Sequence, residues 1–72
     1  MNQSLSEKSY HILYWLNGEE LLDSDHATLN EAAARFAYLK KNWETVFPEG
    51  LTAIELTDQY FDEIEKFKPY AC

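Results

Sequence analysis

The sequence is poor in cysteine, glycine and proline, with one, two and two of these residues in a chain of 72. Because Cys72 has no second cysteine to pair with, an internal disulfide is excluded, and we expect a reducing, cytoplasmic setting. Gly18 and Gly50 are too few to build a glycine-rich loop that cradles a phosphate. Residues 1–9 lack the apolar stretch of a signal peptide, and no apolar run approaches the ~20 residues that span a membrane.

Positive charge is missing from two long stretches of the chain. Six Lys and Arg residues face thirteen Asp and Glu residues, which gives a net charge of -7. No Lys or Arg lies between Lys8 and Arg35, and none lies between Lys41 and Lys66. Bases so few and scattered do not predict direct binding to nucleic acid, and an acidic surface is repelled by anionic lipid headgroups. The same surface is attracted to basic proteins.

The sequence also lacks a recognisable arrangement of catalytic or metal-binding side chains. Asp23, Asp25 and His26 are close in sequence, but no glycine lets this segment wrap a cation and no glutamate completes a calcium loop. A catalytic His11 or His26 would need a nucleophile held nearby, and Cys72 lies on a terminus. We therefore expect no catalytic residue, no cofactor and no metal, so the protein is predicted not to be an enzyme.

Acidic and aromatic residues are abundant in a chain that has the length of one small domain. Residues 1–8 are predicted to be a flexible N-terminal tail, and residues 9–72 a single α+β domain. Such a short domain buries only about 60% of the surface that its unfolded chain exposes, so its stability should be marginal. Two Trp, five Tyr and four Phe supply large apolar area either to the core or to an interface with a partner.

An antiparallel β-hairpin is predicted at the start of the domain. Residues 10–16 are dense in strand-forming side chains, and Asn17-Gly18 is typical of a two-residue type I′ turn. The return strand runs from Glu19 to about Asp23, and residues 23–27 form a polar connector. The two-residue loop predicts the pairs Leu16–Glu19, Trp15–Glu20, Tyr14–Leu21 and Leu13–Leu22.

A capped amphipathic helix is predicted after the connector. Thr28 and Glu31 form a capping box, in which the threonine hydroxyl accepts a hydrogen bond from the Glu31 amide. The helix is expected to run to about Trp43 and to bury Leu29, Phe36 and Leu39. Its apolar residues are spaced by three, four, three and four positions: Leu29, Ala32, Phe36, Leu39 and Trp43.

The last third of the chain predicts a turn at 47–50, a third strand at 51–57 and a final element that has two alternatives. Tyr60, Phe61, Ile64 and Phe67 would share one face of a helix, which we take as the C-terminal element. The alternative is a fourth strand over 64–70 that returns from a turn near residues 59–62. The predicted fold class is α+β in either case.

The candidate binding residues are two aromatic anchors and two clusters of acids. Tyr14 or Trp15 is expected to lie on the sheet face opposite the helix, as an anchor inside an acidic rim. We call the acids near the turn the hairpin cluster and the later acids the C-terminal cluster, which we expect to contribute more. The hairpin cluster is Glu19, Glu20, Asp23 and Asp25, and the C-terminal cluster is Asp58, Asp62, Glu63 and Glu65.

The sequence thus predicts a small acidic protein-binding module that inhibits or regulates a basic, nucleic-acid-handling protein. The expected partner is a nuclease or a nucleic-acid-guided complex, whose basic groove would accept carboxylates in place of phosphates. A phage-encoded antagonist of a host defence complex, of an anti-CRISPR-like or DNA-mimic kind, fits this size and charge. The alternative is a structural or accessory subunit, or a homodimer, with an aromatic interface.

Overall fold

A computed structural model describes residues 9–47 and 50–70, which form a four-stranded antiparallel sheet and one helix. The predicted α+β fold is confirmed. The predicted tail 1–8, residue Cys72 and the centre of the predicted turn, residues 48–49, lie outside the described residues. The strands lie in the order β2-β1-β3-β4. The elements are β1 (Tyr10–Leu16), β2 (Glu19–His26), α1 (Leu29–Val46), β3 (Leu51–Thr57) and β4 (Glu63–Phe67).

The hairpin of β1 and β2 has the predicted register, with Leu16 opposite Glu19 and Leu13 opposite Leu22. Asn17 and Gly18 have φ angles of 53° and 85°, the positive values that a type I′ turn requires. The predicted connector is wrong for residues 23–26, because these continue β2. A bulge allows the longer strand, since the register shifts between Ile12 and Leu13 and leaves an extra residue in β2.

The helix α1 begins as predicted but is longer and is buried differently. The Thr28 hydroxyl accepts a hydrogen bond from the Glu31 amide at 3.1 Å. Phe36 and Leu39 are buried as expected, together with Ala32, but Leu29 is 43% exposed. The prediction that Leu29 is buried is therefore wrong. The first helical turn follows β2, an edge strand, so it has the sheet on one side only.

The predicted C-terminal helix is wrong, and the alternative fourth strand is correct. The Asp58 carboxylate accepts hydrogen bonds from the amides of Tyr60 at 2.8 Å and Asp62 at 3.0 Å. Phe61 has a φ angle of 64°, a left-handed conformation that an α-helix does not allow. This turn reverses the chain and pairs β4 with β3, which places Lys66 opposite Glu55.

The core lies between α1 and one face of the sheet. The helix packs on β1, β2 and β3, while no element of the described chain packs on the other face, which we call the open face. Antiparallel sheets commonly bury one face in this way and leave the other toward solvent. No helix in the described part of the chain is both long and apolar enough to cross a membrane. The buried cluster is Ile12, Ala32, Phe36, Leu39, Phe47, Leu51, Ile54 and Leu56.

Candidate protein-binding site

The two aromatic anchors proposed from the sequence lie on opposite faces of the sheet. The Tyr14 ring packs on Phe47 with 4.6 Å between ring centroids, and Tyr14 lies against the buried core. Because successive side chains of a strand alternate, the neighbouring Trp15 points to the open face. Trp15 is half-buried there, so of the two predicted anchors it is the one that lies on the face opposite the helix.

Trp15 has an acid on one side and a cation above its ring. Glu20 is its cross-strand partner on β2, and Ala53 is its partner on β3. The Lys66 ammonium lies 5.2 Å from the centroid of the Trp15 ring, within range of a cation–π interaction. Ala53 is small, so the Lys66 side chain can cross β3 from β4 to reach Trp15.

Glu20, Glu55 and Glu63 lie close together on the open face, and Glu55 is absent from the sequence-based site. Glu55 pairs with Leu13 on β1 and with Lys66 on β4. Burial raises the pKa of Glu55 above 4.5, and the negative charges of Glu63 and Glu20 raise it further, against the lowering effect of Lys66. Glu20 belongs to the hairpin cluster and Glu63 to the C-terminal cluster, so acids of both clusters raise the pKa of Glu55. The centre of the open face carries more negative charge than its one lysine offsets.

We expect Glu55→Gln to stabilise the fold at neutral pH. A carboxylate whose pKa is raised on folding contributes most stability below its unfolded pKa and loses that contribution as pH rises through the folded value. Removing the charge should therefore raise the free energy of unfolding by about 0.2–1 kcal/mol at neutral pH, the scale of a like-charge pair in a sheet. The gain should disappear below the ordinary glutamate pKa of 4.5.

Denaturant melts at several pH values measure this effect, and Glu19→Gln is the matched control. It removes the same charge from an exposed residue at the start of β2. An equal gain from both variants would assign the effect to net charge and contradict the special position of Glu55.

Within the hairpin cluster, Asp23 is used to hold β2 to the helix. The Arg35 guanidinium donates two hydrogen bonds to the Asp23 carboxylate, from Nε at 3.0 Å and from Nη2 at 3.1 Å. Burial raises the pKa of Asp23, but the hydrogen bonds from Arg35 and Ser24 outweigh it, so the pKa falls below 3.8. Asp23 is therefore a structural residue, and its charge is already matched inside the protein.

The same network argues against Ser24 as a nucleophile. The Ser24 hydroxyl donates its one proton to Asp23 at 2.7 Å, and its oxygen lies 2.8 Å from His26 Nε2. With that proton directed at Asp23, the Ser24 oxygen accepts from His26, so His26 is a donor here. A general base would need the opposite direction to activate the serine.

The other acid of the hairpin cluster that has a partner is Asp25. Its carboxylate lies 2.6 Å from His11 Nδ1, and the His11 ring stacks on Phe61 with 4.3 Å between centroids. Phe61 is 57% exposed and extends the aromatic surface beyond the strands. Glu19 and Glu20 are the exposed members of this cluster.

The C-terminal cluster is likewise divided between structural and exposed acids. Asp58 closes the turn before β4 through the two amides described above, and Glu65 accepts a hydrogen bond from Lys40 of α1 at 3.2 Å. Asp62 and Glu63 are exposed. The structure therefore does not gather this cluster on one surface, since Glu65 lies toward the helix while Glu63 lies close to Glu55.

The positive charges of the described chain are distributed unequally between the helix and the sheet. Arg35, Lys40 and Lys41 belong to α1. Lys66 is the only Lys or Arg within the four described strands, because β1, β2 and β3 contain none. The two stretches of sequence without positive charge thus contain the three adjacent strands β2, β1 and β3. This segregation leaves the open face acidic while the helical layer carries most of the positive charge.

Two further features bear on chemistry at other sites. In residues 9–47 and 50–70, no three His, Cys, Asp or Glu side chains come together as candidate metal ligands. A cleft of about 390 Å³ lies near the turn before β4. Its one carboxylate, Asp58, already accepts two backbone hydrogen bonds, so it is poorly placed as an acid or a base. The cleft is lined by Ser9, Tyr10, Ala27, Asp58, Gln59 and Tyr60.

Comparison with known proteins adds no assignment: no family model matches the sequence, and no curated protein or solved structure matches it. The open face itself is therefore the feature that bears on function.

Proposed function

We propose that this protein is a non-catalytic, cytoplasmic binding module that inhibits or regulates a basic, nucleic-acid-handling protein. A nuclease or a nucleic-acid-guided complex is the kind of partner that fits. The observation that carries the proposal is the segregation of charge: three of the four strands have no Lys or Arg. Glu19 and Glu20, the exposed acids of these strands, can therefore meet the cations of another protein.

The open face has the composition of an interface rather than of a surface that only keeps a protein in solution. Trp15 and Leu22 supply apolar area near its middle, and Leu22 is 54% exposed. Glu20, Glu55 and Glu63 lie around them. Apolar anchors supply most binding energy in protein interfaces, whereas charges at the rim steer the encounter and select the partner. A groove built for nucleic acid offers the complementary pattern, with cations placed to contact phosphates.

The second candidate is an accessory subunit or a homodimer with an aromatic interface. Three exposed aromatic side chains favour it: Tyr60 is 73% exposed, Phe61 57% and Tyr70 68%. A dimer through the open face is disfavoured, because it would bring two acidic surfaces together. A self-association would therefore use these aromatic residues near the ends of β4.

Affinity purification from the native host, with mass spectrometry of the co-purified proteins, separates the two candidates. A nuclease or nucleic-acid-guided complex supports the first. Recovery of only the protein itself, as a dimer in solution, contradicts the first and supports the second.

For a partner identified in this way, we expect affinity to fall as salt rises, because exposed charges are screened beyond about 8 Å at physiological ionic strength. Reversing Glu20 and Glu63 to lysine should slow association about tenfold, since steering acts on the encounter rate. Stopped-flow or surface-based kinetics measure the rate.

The matched control reverses Glu31 and Glu44, two exposed acids of α1. It changes the net charge equally but leaves the open face intact, so it should slow association less. An affinity that is the same at low and high salt would contradict the electrostatic proposal.

A further inference from the structure

Lys66 is the only Lys or Arg in the four described strands, and its side chain lies over the ring of Trp15 on the open face. Its ammonium is 5.2 Å from the Trp15 ring centroid, and its register partner on β3 is Glu55. Ala53, which is 4% exposed, lies on β3 between Trp15 and β4, and its side chain is only a methyl group. The face thus already holds one cation between an aromatic ring and a carboxylate.

We propose that Lys66 occupies the place of a partner's arginine: Trp15, with Glu20 and Glu55, forms a guanidinium-binding site that Lys66 covers until a basic protein displaces it. This inference rests on the proposed function and specifies which partner group is recognised and where.

The geometry suits a guanidinium better than an ammonium. A guanidinium is planar, stacks on an aromatic ring and donates hydrogen bonds in a fork that matches a carboxylate. Glu20 is directly opposite Trp15, so its side chain starts about 5 Å away. Glu55 approaches from the other side, since it is opposite Leu13, two residues before Trp15. A ring flanked by carboxylates on both sides therefore offers both kinds of contact to one arginine.

The site has more negative than positive charge, so a further cation would be attracted to it. Glu20, Glu55 and Glu63 face one lysine, and the raised pKa of Glu55 shows that burial and the neighbouring acids outweigh Lys66. Lys66 is exposed and its ammonium is strongly hydrated. It can therefore leave the ring for solvent at little cost, whereas an arriving arginine gains both the ring and the carboxylates.

The test uses an arginine homopeptide as the probe and compares Lys66→Thr with Lys68→Thr, because threonine suits a strand and is too short to cover the Trp15 ring. Both variants remove one positive charge, and Lys68 lies just beyond β4. Only the first uncovers Trp15. Because a cation–π contact at an exposed site contributes about 0.5–1 kcal/mol, Lys66→Thr should bind the peptide about two- to fivefold more tightly than Lys68→Thr.

An NMR titration of the unmodified protein gives a second readout that needs no variant. The chain has two tryptophans, and Trp43 lies on α1, where its ring contacts Tyr70 with 5.3 Å between centroids. We expect the indole N–H signal of Trp15 to shift with the arginine peptide and that of Trp43 to remain unchanged. A lysine homopeptide should shift the Trp15 signal less.

Equal gains from the two threonine variants, or a shift at Trp43 rather than Trp15, would overturn the guanidinium site and leave general electrostatic binding intact. If no variant binds the arginine peptide at low salt, both the site and the proposed recognition of basic partners fail.

Discussion

A Phe36→Ala variant is expected to be largely unfolded at room temperature. Phe36 is 2% exposed and lies at the centre of the helical stripe that faces β1 and β3. Removing a buried phenylalanine costs about 3–5 kcal/mol, since the lost transfer energy adds to the cavity left behind. A domain of this size has little stability to lose. Loss of the far-UV circular dichroism signal of α1, and of a cooperative melt, would show the effect.

Tyr38→Ala is the matched control for this experiment. It makes the same kind of truncation on the same helix, but Tyr38 is 50% exposed. We expect the control to lose less than about 1 kcal/mol, as is usual for surface positions. A Phe36→Ala protein that melts like the wild type, or like Tyr38→Ala, would contradict the assignment of the core.

The elements that were predicted correctly are those whose signals are local. Asn17 and Gly18 fix a turn through their own backbone preferences, and a two-residue turn then fixes the register of the whole hairpin. The start of α1 is fixed by Thr28 in the same way. The exposure of Leu29 was not predictable from its helical spacing. The spacing shows which residues share one face of α1, but it does not show how much of that face the sheet covers.

The fourth strand was missed because its deciding interactions are a turn and a partner strand. The apolar residues of 60–67 fit a helical period, and the sequence offers Asp58 as a helix cap as readily as a turn residue. In the structure, Asp58 binds two amides within a turn that includes a left-handed Phe61. Pairing with β4 then satisfies the backbone groups along one side of β3, which would otherwise be an edge of the sheet.

The candidate site was predicted in part for the same reason. The sequence offered Tyr14 or Trp15 as the aromatic residue on the face opposite the helix, and only the position of α1 shows that Trp15 is the one that lies there. Glu55 could have been found from its place on the same face of β3 as Ala53, with Ile54 and Leu56 on the other face. Its relation to Lys66 depends on β4, which the sequence-based prediction made helical, so the lysine that lies on Trp15 was not associated with the site.

Replacing Arg35 by methionine is expected to destabilise the protein by about 2–3 kcal/mol at neutral pH. The Asp23 side chain is 9% exposed and that of Arg35 is 38% exposed. The pair therefore lies between an exposed ion pair, which contributes up to about 1 kcal/mol, and a buried pair, whose disruption costs about 3–5 kcal/mol. Methionine keeps the apolar stem and leaves the Asp23 carboxylate without its fork of donors.

Lys40→Met is the matched control, because Lys40 and Glu65 form the corresponding pair on the same helix with side chains 39% and 53% exposed. The Lys40→Met variant should lose less than about 1 kcal/mol of stability.

The pH dependence of stability distinguishes a lost ion pair from lost packing. The folded pKa of Asp23 is below 3.8, so its contribution is present above that pH and is lost as pH falls through the folded value. The stability gap between wild type and Arg35→Met should therefore narrow in acid, and urea melts at neutral and acidic pH measure it. A gap that is constant across this range would assign the effect to the packing of the Arg35 stem and contradict the charge-based role of the pair.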